Sequence, residues 1–288
     1  MSQPANYDFH IHSDALPHHS SWHADALVRH ALELGLRAIA VTDHNTLAGV
    51  DAALAAGARH GLAVISGVEF DSGFPHGGVA GTPLRLWHTL VYGADPHDAG
   101  LLALCAVVLA RNVEDAARLR ELLAAQNVVL EGLDNFGRPP NVADVATALA
   151  RSGAPIGRVA GETDEAAGMR HVLHHMAGGY TPPSVAEVID AAHAAGGVAV
   201  LAHPGRANGI YAVPADESDI AALAKIGLDG IEVFYPAHSM ARRRFLLNQA
   251  ERYGLLVTGG SDSHHPDQPL ASWDHPSLST FVRRLGIS

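Results

Sequence analysis

Short apolar runs rich in β-branched residues alternate along this chain with longer stretches whose apolar positions recur every three or four residues. The first pattern marks strands and the second helices. Strands are expected at residues 7–12, 37–42, 63–66, 86–92, 198–202, 230–234 and 255–258. Helices are expected at 24–34, 47–60, 98–125, 185–195, 220–226, 239–253 and 277–285, with Leu119, Leu122 and Leu123 setting the helical spacing of the longest. Repeating β-α order predicts an α/β fold with a parallel sheet. Residues 73–83, rich in Gly and Pro, read as a loop. Residues 127–181 break the rhythm: after Gly137-Arg138-Pro139-Pro140 come two helix-like stretches, 142–150 and 165–176, without a strong strand. This predicts a division of the chain into a barrel-forming body at 1–126 and 182–288 and a helical insert at 127–181. An insert of about 50 residues is marginal as an independent fold, so it is expected to pack on the body as a lid or substrate wall.

Polar residues sharpen the architecture. His44, Glu69, His203, Asp262 and His264 each follow an apolar run closely, which places them at strand C-terminal ends, where barrels carry their chemistry. Groups from so many strands converge more easily on a closed ring than on one edge of an open sheet. A distorted (β/α)7 TIM-like barrel with a small helical insert is therefore expected, seven strands fitting better than eight.

Composition narrows the function. The chain has 288 residues, 20 His and 1 Cys. A lone Cys105 excludes intramolecular disulfides and Cys-rich zinc modules and fits a reducing, cytoplasmic setting. The polar first residues lack the apolar core of a signal peptide. The longest apolar run, 101–110, falls far short of the roughly 20 residues a membrane span needs. A net charge of −11 argues against broad nucleic-acid binding, which leaves a basic footprint. It does not exclude a phosphorylated substrate, because bound cations would reverse the local field.

The histidines then carry the chemistry. In Asp8-Phe9-His10-Ile11-His12, two imidazoles two residues apart on a strand share one face. Thr42-Asp43-His44, Gly67-Val68-Glu69, Trp87-His88, Ala202-His203-Pro204 and Ser261-Asp262-Ser263-His264 repeat the theme. Imidazole and carboxylate together are ligands for Zn²⁺, Mn²⁺ or Fe²⁺. Neutral His and anionic Asp or Glu are in the ligating state at pH 7, and Asp43 beside His44 could orient an imidazole from behind. Two or three cations about 3.5–4 Å apart can activate a bridging water and clamp a phosphoryl group.

In this order, His-x-His, Thr-Asp-His, Gly-Val-Glu, His-Pro-Gly-Arg and Gly-Ser-Asp-x-His resemble the PHP (polymerase and histidinol phosphatase) superfamily over nearly the whole chain. The segments 202–206 and 230–239 look most like its TrpH-like branch, which includes phosphatases of nucleotide 3′,5′-bisphosphates and 5′-to-3′ exonucleases on short RNA. The resemblance implies three metal sites. His10, His12, Glu69 and Asp262 would hold the first, and Glu69 would bridge to a second completed by His88 and His203. The third would use His44, His264 and one residue from the loop after His12. Counting back from the helix start favours His19 there, with His18 and Asp14 as alternatives.

By the same resemblance, His238 matches a segment that contacts phosphate or transfers a proton. Arg206 is a candidate phosphate fork, since guanidinium offers paired donors. Arg138 opens the insert as in relatives, but the His expected two residues later is replaced by Pro140. Ala177 stands where relatives carry Lys. The expected activity is thus a metal-dependent phosphomonoesterase acting on a small phosphorylated metabolite, with a short-RNA exonuclease or a metal-dependent amidohydrolase as alternatives. No membrane association and no stable protein partner is implied.

Overall fold

The computed structural model describes residues 6–15, 19–82, 84–133, 136–176, 178–207 and 213–287. His18 and Ala177 lie outside the described residues. Seven strands follow one another around the sheet in chain order: β1 (Asn6–Ile11), β2 (Leu36–Val41), β3 (Ala63–Pro75), β4 (Leu84–Tyr92), β5 (Val198–Leu201), β6 (Gly230–Phe234) and β7 (Leu256–Gly259). Past β7 the chain turns back onto β1. Asp262 N–H donates to His10 O at 2.8 Å, and His12 N–H donates to Ser263 O at 2.9 Å. These bonds close the ring at the end where the polar motifs gather, giving the distorted seven-stranded barrel.

Helices α1 (Ala24–Glu33) and α2 (Val50–His60) follow β1 and β2. Leu27, Val28 and Ala31 of α1 and Ala53 and Ala56 of α2 are buried in one apolar cluster with Ile39 and Val41 of β2. That burial is the helical i, i+4 spacing doing what the sequence pattern predicts. Helices α6 (Val185–Ala194), α7 (Glu217–Lys225), α8 (Met240–Tyr253) and α9 (Ser279–Arg284) serve the later strands.

The sheet is not wholly parallel, contrary to the expectation from β-α order. β4 runs antiparallel to both β3 and β5. No helix separates β3 from β4, so the chain reverses in a hairpin whose tip holds a single 3-10 turn at His76–Gly78. The loop expected at 73–83 is correspondingly shorter, because Gly73 to Pro75 still pair with Leu86 to Leu84.

The residues sort into two compact units, one within Met1–Cys105, Ser184–Arg206 and Val213–Ser288, the other spanning Ala106–Pro183. The boundary falls inside α3 (Ala99–Ala125). The second unit has its own apolar cluster, in which Leu119 and Leu123 of α3 meet Val145 and Leu149 of α4 (Val142–Arg151) and Met169 and Val172 of α5 (Asp164–His175). Gly168 lets α5 approach α4 closely: a Cβ there would lie 1.8 Å from Ala146 O. Cys105 is buried, and burial pushes its thiol up to about 12. Among the described residues no helix is long and apolar enough to cross a membrane.

Candidate metal centre

The closed end of the barrel draws ligand-type side chains onto Glu69. Although β3 continues to Pro75, Glu69 lies level with the end of β2, because the pairing that stops at Val41–Ser66 resumes as a bridge between His44 and Glu69. His10 Nε2 stands 3.2 Å from Glu69 Oε1, His88 Nδ1 2.8 Å and His203 Nε2 3.4 Å from the same oxygen. The other oxygen, Oε2, faces His12 Nε2 at 3.3 Å and His44 Nδ1 at 3.2 Å. Asp262 Oδ1 joins from after β7, 3.1 Å from His12 Nε2 and 3.4 Å from His10 Nε2. Close packing makes this possible at Gly260, where a Cβ would sit 2.6 Å from His10 N. His203 and Asp262 both adopt left-handed backbone, with φ of 28° and 61°. Such strain in non-glycine residues concentrates at functional sites.

These groups suit divalent cations. Glu69 Oε1 and Oε2, His10 Nε2, His44 Nδ1 and His203 Nε2 are buried without a hydrogen-bond partner, and they point at one another. Burying so many lone pairs is costly unless something positive sits among them. Four of the ligand-type groupings in the structure are made from this cluster: His10–His12–Glu69–Asp262, Glu69–His88–His203, His12–His44–His264 and His44–Asp71–His88. A fifth, His76–Asp216–Asp219, is accounted for without an ion, because Arg85 pairs with Asp216 at 3.0 Å and Asp219 at 3.1 Å.

The buried carboxylates and imidazoles shift one another's proton affinities. Burial would lower the His88 imidazole, but Glu69 and Asp71 raise it to about 10. His10 is likewise raised well above its ordinary value against its burial, by Glu69, Glu232 and Asp262. Burial would raise Glu69, yet His10, His88 and His44 hold it well below the usual carboxylate range. His44 is pushed well down by burial, and His264 down to about 3 by burial and the charge of His12. At neutral pH, then, some imidazoles must lose a proton before they can ligate, and others are already neutral. Metal uptake should therefore release protons. Since a raised pKa keeps the ring protonated up to higher pH, metal must displace a proton across the neutral range, and affinity should fall as pH falls, by about tenfold per unit for each proton expelled. Calorimetry in buffers of different ionisation enthalpy reads this directly; an affinity flat between roughly pH 6 and pH 8 would contradict it.

A family model for the PHP domain matches residues 8–150. A phosphoribosyl 1,2-cyclic phosphate 1,2-diphosphodiesterase from Eggerthella lenta is 30% identical over 268 residues, covering 89% of this chain and 93% of that protein. The chain belongs to the PHP family. Two further relatives are similar at nearly the same level. The 5′-3′ exoribonuclease Rnm of Escherichia coli is 29% identical, with 90% of this chain and 85% of the relative covered. A 3′,5′-nucleoside bisphosphate phosphatase of Chromobacterium violaceum is 28% identical, with 92% and 89% covered.

Within this PHP centre, the positions expected from the sequence meet as follows. His10, His12, His44, Glu69, His88, His203, Asp262 and His264 converge as described above. Glu69 sits inside β3 rather than after a strand, because β3 continues into the hairpin, whereas His88 lies within β4, where the strand expected at 86–92 puts it. The His19 ring lies 4.8 Å from those of His44 and His264, centroid to centroid. Asp14 instead pairs with His23. Replacing His19 by Ala should therefore weaken binding of one metal ion, and Asp14→Ala should be mild, measured as metal retained after dialysis. The reverse order would reassign the loop.

The remaining positions stand outside the ligand cluster. Asp43 turns to Ser13, accepting from its N–H at 2.5 Å and its Oγ–H at 2.6 Å, and so fixes the chain just after His12. His238 is buried with Nδ1–H donating to Val233 O at 3.0 Å and Nε2 accepting from Gly205 N–H at 2.9 Å. Its two nitrogens thereby link β6, through Val233, to the turn that carries His203 and Arg206, through Gly205. Arg206 Nη1 is 3.8 Å from Asp262 Oδ2, and its side chain is 26% exposed, within reach of solvent. Arg138, in the second unit, forks onto Asp144 at 2.7 and 3.2 Å.

Sequence reasoning missed three buried carboxylates that support the ligands. Glu232 Oε1 lies 3.1 Å from His10 Nδ1, and its Oε2 accepts from His203 N–H at 2.7 Å. Asp8 accepts from Ser261 N–H at 2.9 Å and Ala271 N–H at 2.7 Å, tying the Asp262 segment to β1. Asp71 faces His88. A charged residue alone within an apolar strand is the signal that points to such roles.

Proposed function

We propose that this chain is a metal-dependent phosphoesterase that hydrolyses a phosphomonoester of a small phosphorylated metabolite, a nucleotide or nucleotide 3′,5′-bisphosphate. The observation that carries this reading is Glu69, whose two buried oxygens face five imidazoles. Two or three divalent ions would be held there by His10, His12, Glu69 and Asp262, by Glu69, His88 and His203, and by His44, His264 and His19. When bound, such ions supply an activated water and a clamp for phosphoryl oxygens. Imidazole-rich ligation favours Zn²⁺ or Fe²⁺, and the carboxylates also admit Mn²⁺.

The chain's own residues do the rest. Arg206, at the solvent side of Asp262, donates to non-bridging phosphate oxygens and holds them as charge develops. His238 ties the His203–Arg206 turn to β6, accepting from Gly205 N–H and donating to Val233 O, and so positions Arg206. Asp43 holds Ser13, just after His12, by accepting from its N–H and hydroxyl. Arg206→Ala should raise KM or lower kcat by about 10- to 100-fold while leaving metal content unchanged, as read by elemental analysis beside kinetics.

The relatives differ in what they act on, so a substrate panel is the test. It should hold a nucleotide 3′,5′-bisphosphate, a mononucleotide, a cyclic ribose phosphate and a 5′-phosphorylated short RNA, each with Mn²⁺, Zn²⁺ or Fe²⁺. Preferred phosphate release from the small nucleotides supports the proposal. Preferred turnover of RNA would establish the exonuclease reading, which the net charge of −11 disfavours. Turnover of an amide or lactone with no phosphate ester cleaved would establish an amidohydrolase.

A further inference from the structure

We propose that Asp71 is a positioning residue that sets the tautomer and orientation of His88, so that His88 offers Nδ1 to metal; this rests on the metal-centre reading above. Asp71 stands two residues beyond Glu69 on β3, so the two carboxylates share a face. Across the antiparallel pair, Asp71 lies directly opposite His88. The imidazole is therefore held between them, Nδ1 2.8 Å from Glu69 Oε1 and Nε2 3.0 Å from Asp71 Oδ1.

Asn45 fixes the carboxylate in this pose. Its Nδ2 donates to Asp71 Oδ2 at 3.1 Å, and its Oδ1 accepts from Asp71 N–H at 3.2 Å. Asn45 is itself anchored, donating its N–H to Glu69 O at 2.8 Å from a left-handed backbone with φ of 54° that Asn tolerates well. One oxygen of Asp71 is thus engaged by Asn45 and the other is aimed at His88. A neutral imidazole has one N–H. Placed on Nε2, it lies on the Asp71 side of the ring, where Oδ1 is 3.0 Å away, and leaves the Nδ1 lone pair facing the cluster. A ring turned over would lose both contacts. Carboxylates behind ligating histidines raise ligand basicity and fix ring orientation in this way.

The hairpin explains why this device is available here. A parallel neighbour for β3 would have required a crossover helix, and its register would not have set residue 88 against residue 71.

The test uses full-length protein loaded with Zn²⁺ and labelled with ¹⁵N in its histidine rings. In the wild type, His88 should show Nδ1 bound to metal and a proton on Nε2. Asp71→Ala should weaken one metal ion of the set by about 10- to 100-fold in competition with a chelator, and should blur the His88 signature. Asp71→Asn, which keeps an acceptor, should recover most of the affinity. Metal bound through Nε2 in the wild type overturns the proposal without any variant, as does an Asp71→Ala protein with wild-type affinity and an unchanged His88 spectrum. A wild type that takes up no metal at all would instead overturn the metal-centre reading.

Discussion

Replacing Glu69 by Gln is expected to abolish both metal retention and phosphoester hydrolysis, with activity falling on the order of 10³-fold or more as the activated water and the charge clamp are lost together. No single histidine should match this. Glu69 meets His10, His88 and His203 through one oxygen and His12 and His44 through the other. Each histidine contributes one donor, whereas Glu69 links two groups of them. The amide of Gln keeps the shape but not the charge, so repulsion between cations would go unopposed. Elemental analysis of dialysed variant, set beside His203→Ala, checks this. A Glu69→Gln protein that keeps its full metal content would contradict the central role given to this carboxylate.

Glu232→Ala should be the most damaging change among residues that do not themselves face the cluster centre. Glu232 is fully buried and joins two ligand segments 193 positions apart, taking the Nδ1 side of His10 and the backbone N–H of His203. Truncation leaves both groups buried without an acceptor, at a cost of about 3–5 kcal/mol for removing one partner of a buried charged pair. Metal affinity should fall by about 10- to 100-fold as well. Glu232→Gln, which can still accept from His203 N–H, should be milder in both respects. Denaturant unfolding of the metal-free proteins separates the two effects. Equal stability of the Ala variant and wild type would show that the pair contributes no net stabilisation.

Much of the centre was legible because its signals are local. His10 and His12 share a face by strand alternation alone, and His44, His203 and Asp262 follow apolar runs that stop at the end of the barrel where the ring closes. The helices were similarly readable: the apolar spacing of Leu27, Val28 and Ala31 marks the buried face of α1. The β3–β4 hairpin was not, for a physical reason. Phe70, Asp71, Ser72 and Phe74 are all buried, so the strand shows no polar alternation, and Gly73 and Pro75 suggest a loop. Glu232 and Asp8 were visible as carboxylates within apolar strands, but their partners lie 222 and 253 positions away. Closure of the ring, which no local pattern encodes, brings them together.

The most direct test of the account is the number of divalent ions per chain measured as phosphate release is titrated with metal. The account predicts that the metal-free protein is inactive, and that hydrolysis appears as at least two ions per chain are bound. Full activity toward a phosphate ester with one bound ion, or with none, would contradict it.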